Sequence, residues 1–490
     1  MKIMRSKVYL ASMLLILGGC TMGPDYKRPH VILPAQFPAQ AAERADRGDV
    51  SELSSQWWTR FNDPDLVRLV SLALEHNTDL QQATARVEQA EAIVGQSRAA
   101  RLPQIGLAAD ATRTRSSEAA LQSKGGTYNN FRIAASTAFE LDLWGRLRRA
   151  SESARAQLLG SRYTHEVVRQ TVAGMVARSY FSLLTLDRQI ALSRDILQSR
   201  VEELQLQKLR AEHGVIGQLE QEQSETLRAE AALQLREQER QRALQANQIG
   251  LLTGQPGLVI ADGKSVRLTL PPVPPAGIPS RLLERRPDVR QAEQQLISAN
   301  ALIGVAKAEM FPKLSLTTLA GAESVDLVTL LRSGSRIWTL GFGLALPLFD
   351  GGQRLAEMDQ AKGRRIEAVA AYQGAIQSAF KDVADAIINL QAARASQADA
   401  EARERAALNA LGLAQKRYTS GYSGMQEQLE AQRTANSAQL QTLSPFWKRS
   451  TALRWTCSRH WGAAGIQNSN QRETKKGTYQ LSLEDFASDL

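Results

Sequence analysis

Few residues in this 490-residue chain have the type and spacing that chemistry requires. There are two cysteines, Cys20 and Cys457, and five dispersed histidines. Two thiols make no disulfide framework, and no metal-ligand spacing occurs. Walker, GxGxxG, HExxH and GxSxG signatures are missing. Glu427 and Glu430 stand three apart, so on a helix their carboxylates share a face. Paired carboxylates can hydrolyse glycosides, but their context is helical and lacks an aromatic cleft. Cys20 offers better-defined chemistry. Lys2, Arg5 and Lys7 precede an apolar run, Val8 to Leu17, too short to span a membrane and of signal-peptide form. Leu17-Gly18-Gly19-Cys20 resembles a bacterial lipobox. Cleavage after residue 19 would leave Cys20 first, its thiol carrying a diacylglycerol and palmitate among the expected acyl chains. This covalent lipid is the only non-protein group expected; no metal and no other cofactor is. The alternative is an ordinary signal peptide with a chance cysteine. Thr21 in place of Asp points to passage to the outer membrane. One acyl chain anchors weakly, so a second attachment is expected.

The rest of the chain must build something large around little chemistry. Hydrophobic residues make up 43%, aromatics only 6%, and the net charge is +10. The basic residues are scattered along amphipathic stretches and are not interleaved with aromatics, which argues against nucleic acid. A pattern is written twice, offset by about 209 residues. Asp79, Ala83, Ala92, Gly95, Ala99, Pro103 and Leu107 match Asp288, Ala292, Ala301, Gly304, Ala308, Pro312 and Leu316 without a gap. After each proline the period changes to two. Ile105, Leu107, Ala109 and Ala111 share one face, as do Ile133, Ala135, Thr137, Phe139, Leu141 and Leu143. In "RIWTLGFGLALPLF", Trp338, Phe342, Leu344, Leu346 and Leu348 alternate with small or polar residues, the dyad pattern of a transmembrane strand spanning Arg336–Phe349.

Each strand pair is followed by a long helical stretch. Helix throughout from Arg146 to His213 would reach roughly 100 Å. Leu183, Ile190, Leu197 and Leu204 recur every seventh residue, which suggests coiled-coil packing. Each stretch is interrupted once by a glycine pair, Gly214 and Gly217, then Gly421 and Gly424, expected as left-handed caps and tight returns. The expected organisation is a signal peptide (1–19), an anchored extended segment (20–55), a first repeat (56–257), a linker (258–287), a second repeat (288–443) and an atypical tail (444–490). Four strands cannot close a barrel, and an open edge in lipid is prohibitive, so several chains must share one.

The segments "GPDYKRP", "WWTRFNDPDL", "LPPVPPAGIPSRLLERRPDVRQAEQQLISANALIGVAKAEMFPKLSL" and "RYTSGYSGMQEQLEAQR" together resemble the NodT branch of TolC-type outer-membrane efflux factors. Within it, the chain also resembles the outer-membrane lipoproteins of fusaric-acid resistance systems. The resemblance implies a mixed fold: a long α-helical coiled-coil barrel plus a shared transmembrane β-barrel, four strands per chain and twelve in a homotrimer. It implies a passive duct, gated at its periplasmic tip and completed by a periplasmic adaptor and an inner-membrane pump, serving drug and antibiotic resistance, and no enzyme. In the family, a D-x-x-D pair faces the pore; here Glu427 and Glu430 match it, giving two carboxylate rings in a trimer. Tyr418 matches a tyrosine that locks the aperture, and Glu220 matches its acidic partner. The family's basic partner falls at Ser423, so part of that lock is absent. A structural periplasmic coiled-coil lipoprotein without a pore is the competing reading, and the alternating strand speaks against it.

The tail departs from the family. "SPFWKRSTALRWTCSRHWGAAGIQNSNQ" stands where the family continues its last helix and a "VDLFKALGGGW"-like end. Codons for Arg454–Gly465 can be chosen to spell that end in another frame, which suggests a frameshift after about Leu443. Resequencing that finds an unambiguous single frame would overturn the idea.

Overall fold

Proline sets the first boundaries. Helices run up to Ala99 and Ala308, and strands begin at Gln104 and Lys313, directly after Pro103 and Pro312. The ring removes an N–H and biases the preceding residue toward extended backbone. The computed structural model describes residues 21–31, 56–117, 126–261 and 286–461, with side chains to residue 443 apart from 390 and 394. Cys20, most of the linker and the tail beyond Trp461 lie outside the described residues. After a 3-10 turn at Trp57–Phe61 come α1 (Pro64–His76), α2 (Thr78–Ala99), β1 (Gln104–Ser116), β2 (Gly126–Leu141), α3 (Arg146–Glu212) and α4 (Gln218–Leu252). Then follow α5 (Pro287–Ala308), β3 (Lys313–Ser324), β4 (Arg336–Ala345), α6 (Gln353–Thr419) and α7 (Met425–Trp461). These elements form two compact units, each drawing on both halves of the chain.

The first unit holds residues 85–162 and 291–374 with the segment 21–31. Its strands make one antiparallel sheet in the order β1-β2-β3-β4. Directly paired residues share a face, and the register sorts them into rows. One face carries Leu107, Ala135, Ala320 and Trp338 in one row, and Phe139, Leu316 and Phe342 in another. This apolar face is open: Ile105 is 81%, Leu107 73% and Trp338 79% exposed. The opposite face is more polar, with Asp110, Arg132 and Glu323 in a row and Asn130 Nδ2 donating to Glu323 at 2.8 Å. β4 is shorter than the expected Arg336–Phe349, stopping at Ala345. Pro347 has no N–H to continue a ladder, so Leu346 and Leu348 lie beyond the strand.

Segment 21–31, the "GPDYKRP" stretch, is strapped onto this unit. Met22 N–H donates to the Trp144 carbonyl at 3.0 Å. The buried Arg149 guanidinium donates to the Met22 carbonyl at 3.2 Å and to Asp25 at 2.7 Å. Asn300 donates to the Pro24 carbonyl at 2.8 Å. Tyr26 and Arg28 both donate to buried Glu293, at 3.2 and 2.7 Å. Gly23 (φ +96°) meets Gly304 so closely that a β-carbon on Gly23 would stand 2.5 Å from the Gly304 Cα. That contact explains the repeat's glycine in the second copy, whereas Gly95 in the first copy faces open space. Burial, then the Glu293 charge and its hydrogen bond, push the Tyr26 phenol up to about 12.

The second unit holds residues 56–84, 163–261, 286–290 and 375–461. "WWTRFNDPDL" builds its core. Trp57 and Trp58 pack with Leu66, Leu69, Val70, Val172, Val176, Phe181, Leu183 and Ile249. Asp63 caps α1, accepting from Asp65 N–H and Leu66 N–H at 3.0 and 3.1 Å, with Pro64 first in the helix. Such a cap stabilises by about 1 kcal/mol. Tyr180 O–H donates to the same carboxylate at 3.0 Å, and burial raises its pKa above the usual phenol range. In "ERRPDV", Arg286 is fully buried, bidentate to Asp288 at 2.9 and 2.6 Å and paired with Asp382 at 3.0 Å. Along α3, Leu183, Ile190 and Leu204 are buried and Leu197 half-buried.

Two outcomes test the strap. Gly304→Val forces a side chain against Met22 and Arg149 and should destabilise seating of residues 21–31 by about 1–3 kcal/mol, read as faster proteolysis within that segment. A raised phenol pKa contributes stability that is present below pH 10 and lost as pH rises through about 12. Protease protection of the strap should therefore fall across that window in the wild type and lose this step in Tyr26→Phe.

Candidate functional site

The expected gate residues gather at two helical returns in the second unit. Helix α3 ends on Gly214 (φ +68°) and α6 on Gly421 (φ +76°). Both ends make the same paired bonds. Val215 N–H donates to the Arg210 carbonyl and Gly214 N–H to Ala211, each at 2.9 Å. Tyr422 N–H donates to Arg417 at 2.9 Å and Gly421 N–H to Tyr418 at 3.0 Å. This is the six-to-one cap that only a left-handed residue permits, so glycine is required. The second glycine of each pair differs from expectation. Gly217 is the extended N-cap of α4 (φ −82°, ψ 168°), and Gly424 directly precedes α7 without positive φ. The return needs one left-handed residue, and the next helix starts from extended backbone.

Glu220 is the third residue of α4, and Glu427 the third of α7. Carboxylates are favoured in a first helical turn, where unpaired N–H groups concentrate positive charge. Glu220 folds back over its own N-cap, its Oε2 3.0 Å from where a β-carbon on Gly217 would sit. Tyr418 therefore does not bond to Glu220. Its hydroxyl accepts from Arg210 Nη1 at 2.9 Å, and that guanidinium lies 5.9 Å from the ring centroid. The expected Tyr418–Glu220 bond is corrected to Tyr418–Arg210: the Glu220 side chain lies over the Gly217 N-cap, and the phenol oxygen accepts from the guanidinium instead. Tyr418 also packs on buried Leu227, Met425 and Leu429.

Glu427 pairs with Arg417, Nε to Oε1, at 2.9 Å. Glu430 is exposed and has no ion-pair partner among the described residues. Ser423, where the family's basic group falls, has a buried hydroxyl without a hydrogen-bond partner. The cations Arg210 and Arg417 were missed in the sequence, yet a signal exists. Each stands four residues before its left-handed glycine, in the last helical turn, where carbonyls favour positive charge.

The second functional surface is the two-faced sheet. Both outer edges, on β1 and β4, lack a strand partner among the described residues. No described helix is long and apolar enough to cross a membrane. Independently, the sheet has an exposed apolar face. At its helix-bearing end, Trp144 stacks on Phe311 with centroids 4.8 Å apart and donates to the Pro312 carbonyl at 2.8 Å.

A family model described as "Outer membrane efflux protein" matches residues 69–255 and 278–445. The solvent efflux pump outer membrane protein SrpC of Pseudomonas putida is 35% identical over 441 residues, covering 88% of this chain and 93% of that protein. Outer membrane protein OprJ of Pseudomonas aeruginosa is 34% identical, covering 92% and 95%. Among solved structures, the Campylobacter jejuni CmeC outer membrane channel superposes with a TM-score of 0.86 at 25% identity, covering 93% of this chain and 98% of that one. Sheet, long helices and these likenesses together place the chain in the outer membrane efflux protein family, as an outer-membrane channel.

Proposed function

We propose that three copies of this chain close one barrel in the outer membrane, forming the exit duct of a pump whose adaptor stands in the periplasm and whose motor stands in the inner membrane. The observation that supports a shared barrel is the four-stranded sheet with an exposed apolar face and two unpaired edges, and the family resemblance supplies the number three. Twelve strands from three chains fall within the size range of single-chain outer-membrane barrels. The charged row Asp110–Arg132–Glu323 then lines water, and the row Phe139–Leu316–Phe342 faces lipid. The chain holds no energy-coupling or catalytic machinery in this reading. Work and cargo choice belong to the pump, in keeping with SrpC being named for solvents and CusC of Escherichia coli for cations. Lipid on Cys20 is the second attachment, and the strap at 21–31 would hold it to the first unit.

The helical returns act as the gate. Threefold symmetry turns Glu427 and Glu430 into two rings, which favour cations. Arg417 neutralises Glu427, so Glu430 is the ring with net charge. In planar bilayers, Glu430→Gln should therefore reduce cation selectivity more than Glu427→Gln does. Glu427→Gln frees Arg417 and should mainly raise open probability. Conductance and selectivity untouched by both changes would remove these residues from the pore.

Tyr418→Phe deletes the bond from Arg210 but keeps the ring packed. It should loosen the second return by about 0.5–1.5 kcal/mol, seen as faster hydrogen exchange at residues 418–424. Arg210→Ala should do the same, and the double variant should add little. Fully additive effects would show that the pair is not coupled.

A further inference from the structure

The lipid-facing side of the sheet is not apolar to its end. Arg113 and Arg115 of β1 alternate in phase with Ile105, Leu107, Ala109 and Ala111 and share their face. Arg336, the first residue of β4, shares its face with Trp338 and Phe342. All three arginines are exposed, and their guanidinium groups have no hydrogen-bond or ion-pair partner among the described residues. The sheet's carboxylates in the upper rows, Asp110 and Glu323, lie on the opposite face.

Their height follows from the register. Arg113 pairs with Asn129 and Arg115 with Thr127, whereas apolar outward residues of β2 run from Phe131 to Leu141. Arg113 thus occupies the first row above the apolar stretch, whereas Arg336 pairs with Ala322 in the row of Ile133, four residues lower by register, and reaches the rim as the first residue of β4 through the stagger that tilted barrel strands require. That stretch covers about 33 Å of strand at about 3.3 Å per residue, which a tilt near 40° brings to about the 25 Å of an outer-membrane apolar band. The end is also fixed. Helices α2, α3, α5 and α6 adjoin the other end of the sheet, and strand–strand connections adjoin this one. With helices in the periplasm, the arginines ring the outward rim.

We propose that Arg113, Arg115 and Arg336 form a cationic collar that binds the phosphates of the glycolipid headgroups in the outer leaflet. This rests on the reading of the sheet as lipid-facing. Guanidinium groups at that height are neither in water nor in hydrocarbon. They meet the headgroup layer, where planar, bidentate donors match phosphate oxygens. In a closed barrel β4 of one chain neighbours β1 of the next, so Arg336 joins the Arg113–Arg115 pair of another copy at each junction. The collar therefore clusters charge where chains meet.

The test uses the full-length trimer in detergent, titrated with diphosphoryl lipid A and with its dephosphorylated counterpart in mixed micelles. The wild type should prefer the phosphorylated lipid by about tenfold or more. R113Q/R115Q/R336Q should bring the two lipids to near parity, and the matching Lys variant should keep a preference. Circular dichroism and trimer retention confirm that each variant is folded. Parity in the wild type, or a preference undiminished in the Gln variant, overturns the collar. Displacement by inorganic phosphate at matched ionic strength and equal concentration overturns the lipid assignment in favour of a free anion. Brominated acyl chains supply the separate control. If they fail to quench Trp338, measured against Trp338→Phe, the lipid-facing reading falls and the collar with it. Quenching without phosphate preference sinks the collar alone.

Discussion

Unpaired backbone sets the terms for this molecule. A strand edge in hydrocarbon leaves N–H and C=O groups without water or partner, each costing several kcal/mol. β1 and β4 each present such an edge, of 13 and 10 residues. No internal rearrangement of four strands removes both edges. Four strands are thus incomplete in hydrocarbon by themselves, and in the proposed trimer other copies of the chain pair the two edges. Alternation along the strands follows from the same demand, because one face must meet lipid while the other tolerates Asp110, Arg132 and Glu323.

Elements with a strong period were legible in the sequence. Proline placed the helix-to-strand changes at residues 103 and 312, period two located the strands, and glycine located both returns. Misreadings arose where two local preferences competed. β4 was extended past Pro347 because hydrophobic alternation continues after the ladder has lost its donor. Tyr418 was paired with Glu220 because a phenol and a carboxylate are good partners. The Glu220 carboxylate lies over its own N-cap at Gly217 instead. The strap was legible only as a motif. Its partners Arg149, Glu293 and Asn300 lie more than a hundred residues away, and no local period announces them.

The two returns share one geometry and differ in the residues laid on it. Both use an arginine, a left-handed glycine and a third-position glutamate at the same spacing. Only the second return has Tyr418 and the exposed Glu430. The shared parts are those that helix ends require. The unshared parts carry the candidate gate.

Strap geometry also constrains the order of biogenesis. Residues 21–31 precede their seat in the chain by more than a hundred residues, for it is built from Trp144, Arg149, Glu293, Asn300 and Gly304. The first unit is discontinuous in the chain, so it cannot finish folding until more than half the polypeptide has crossed. Contacts of such long sequence separation form late and slowly. The segment must remain unseated while the rest arrives. Its docking marks completion of the first unit rather than its beginning.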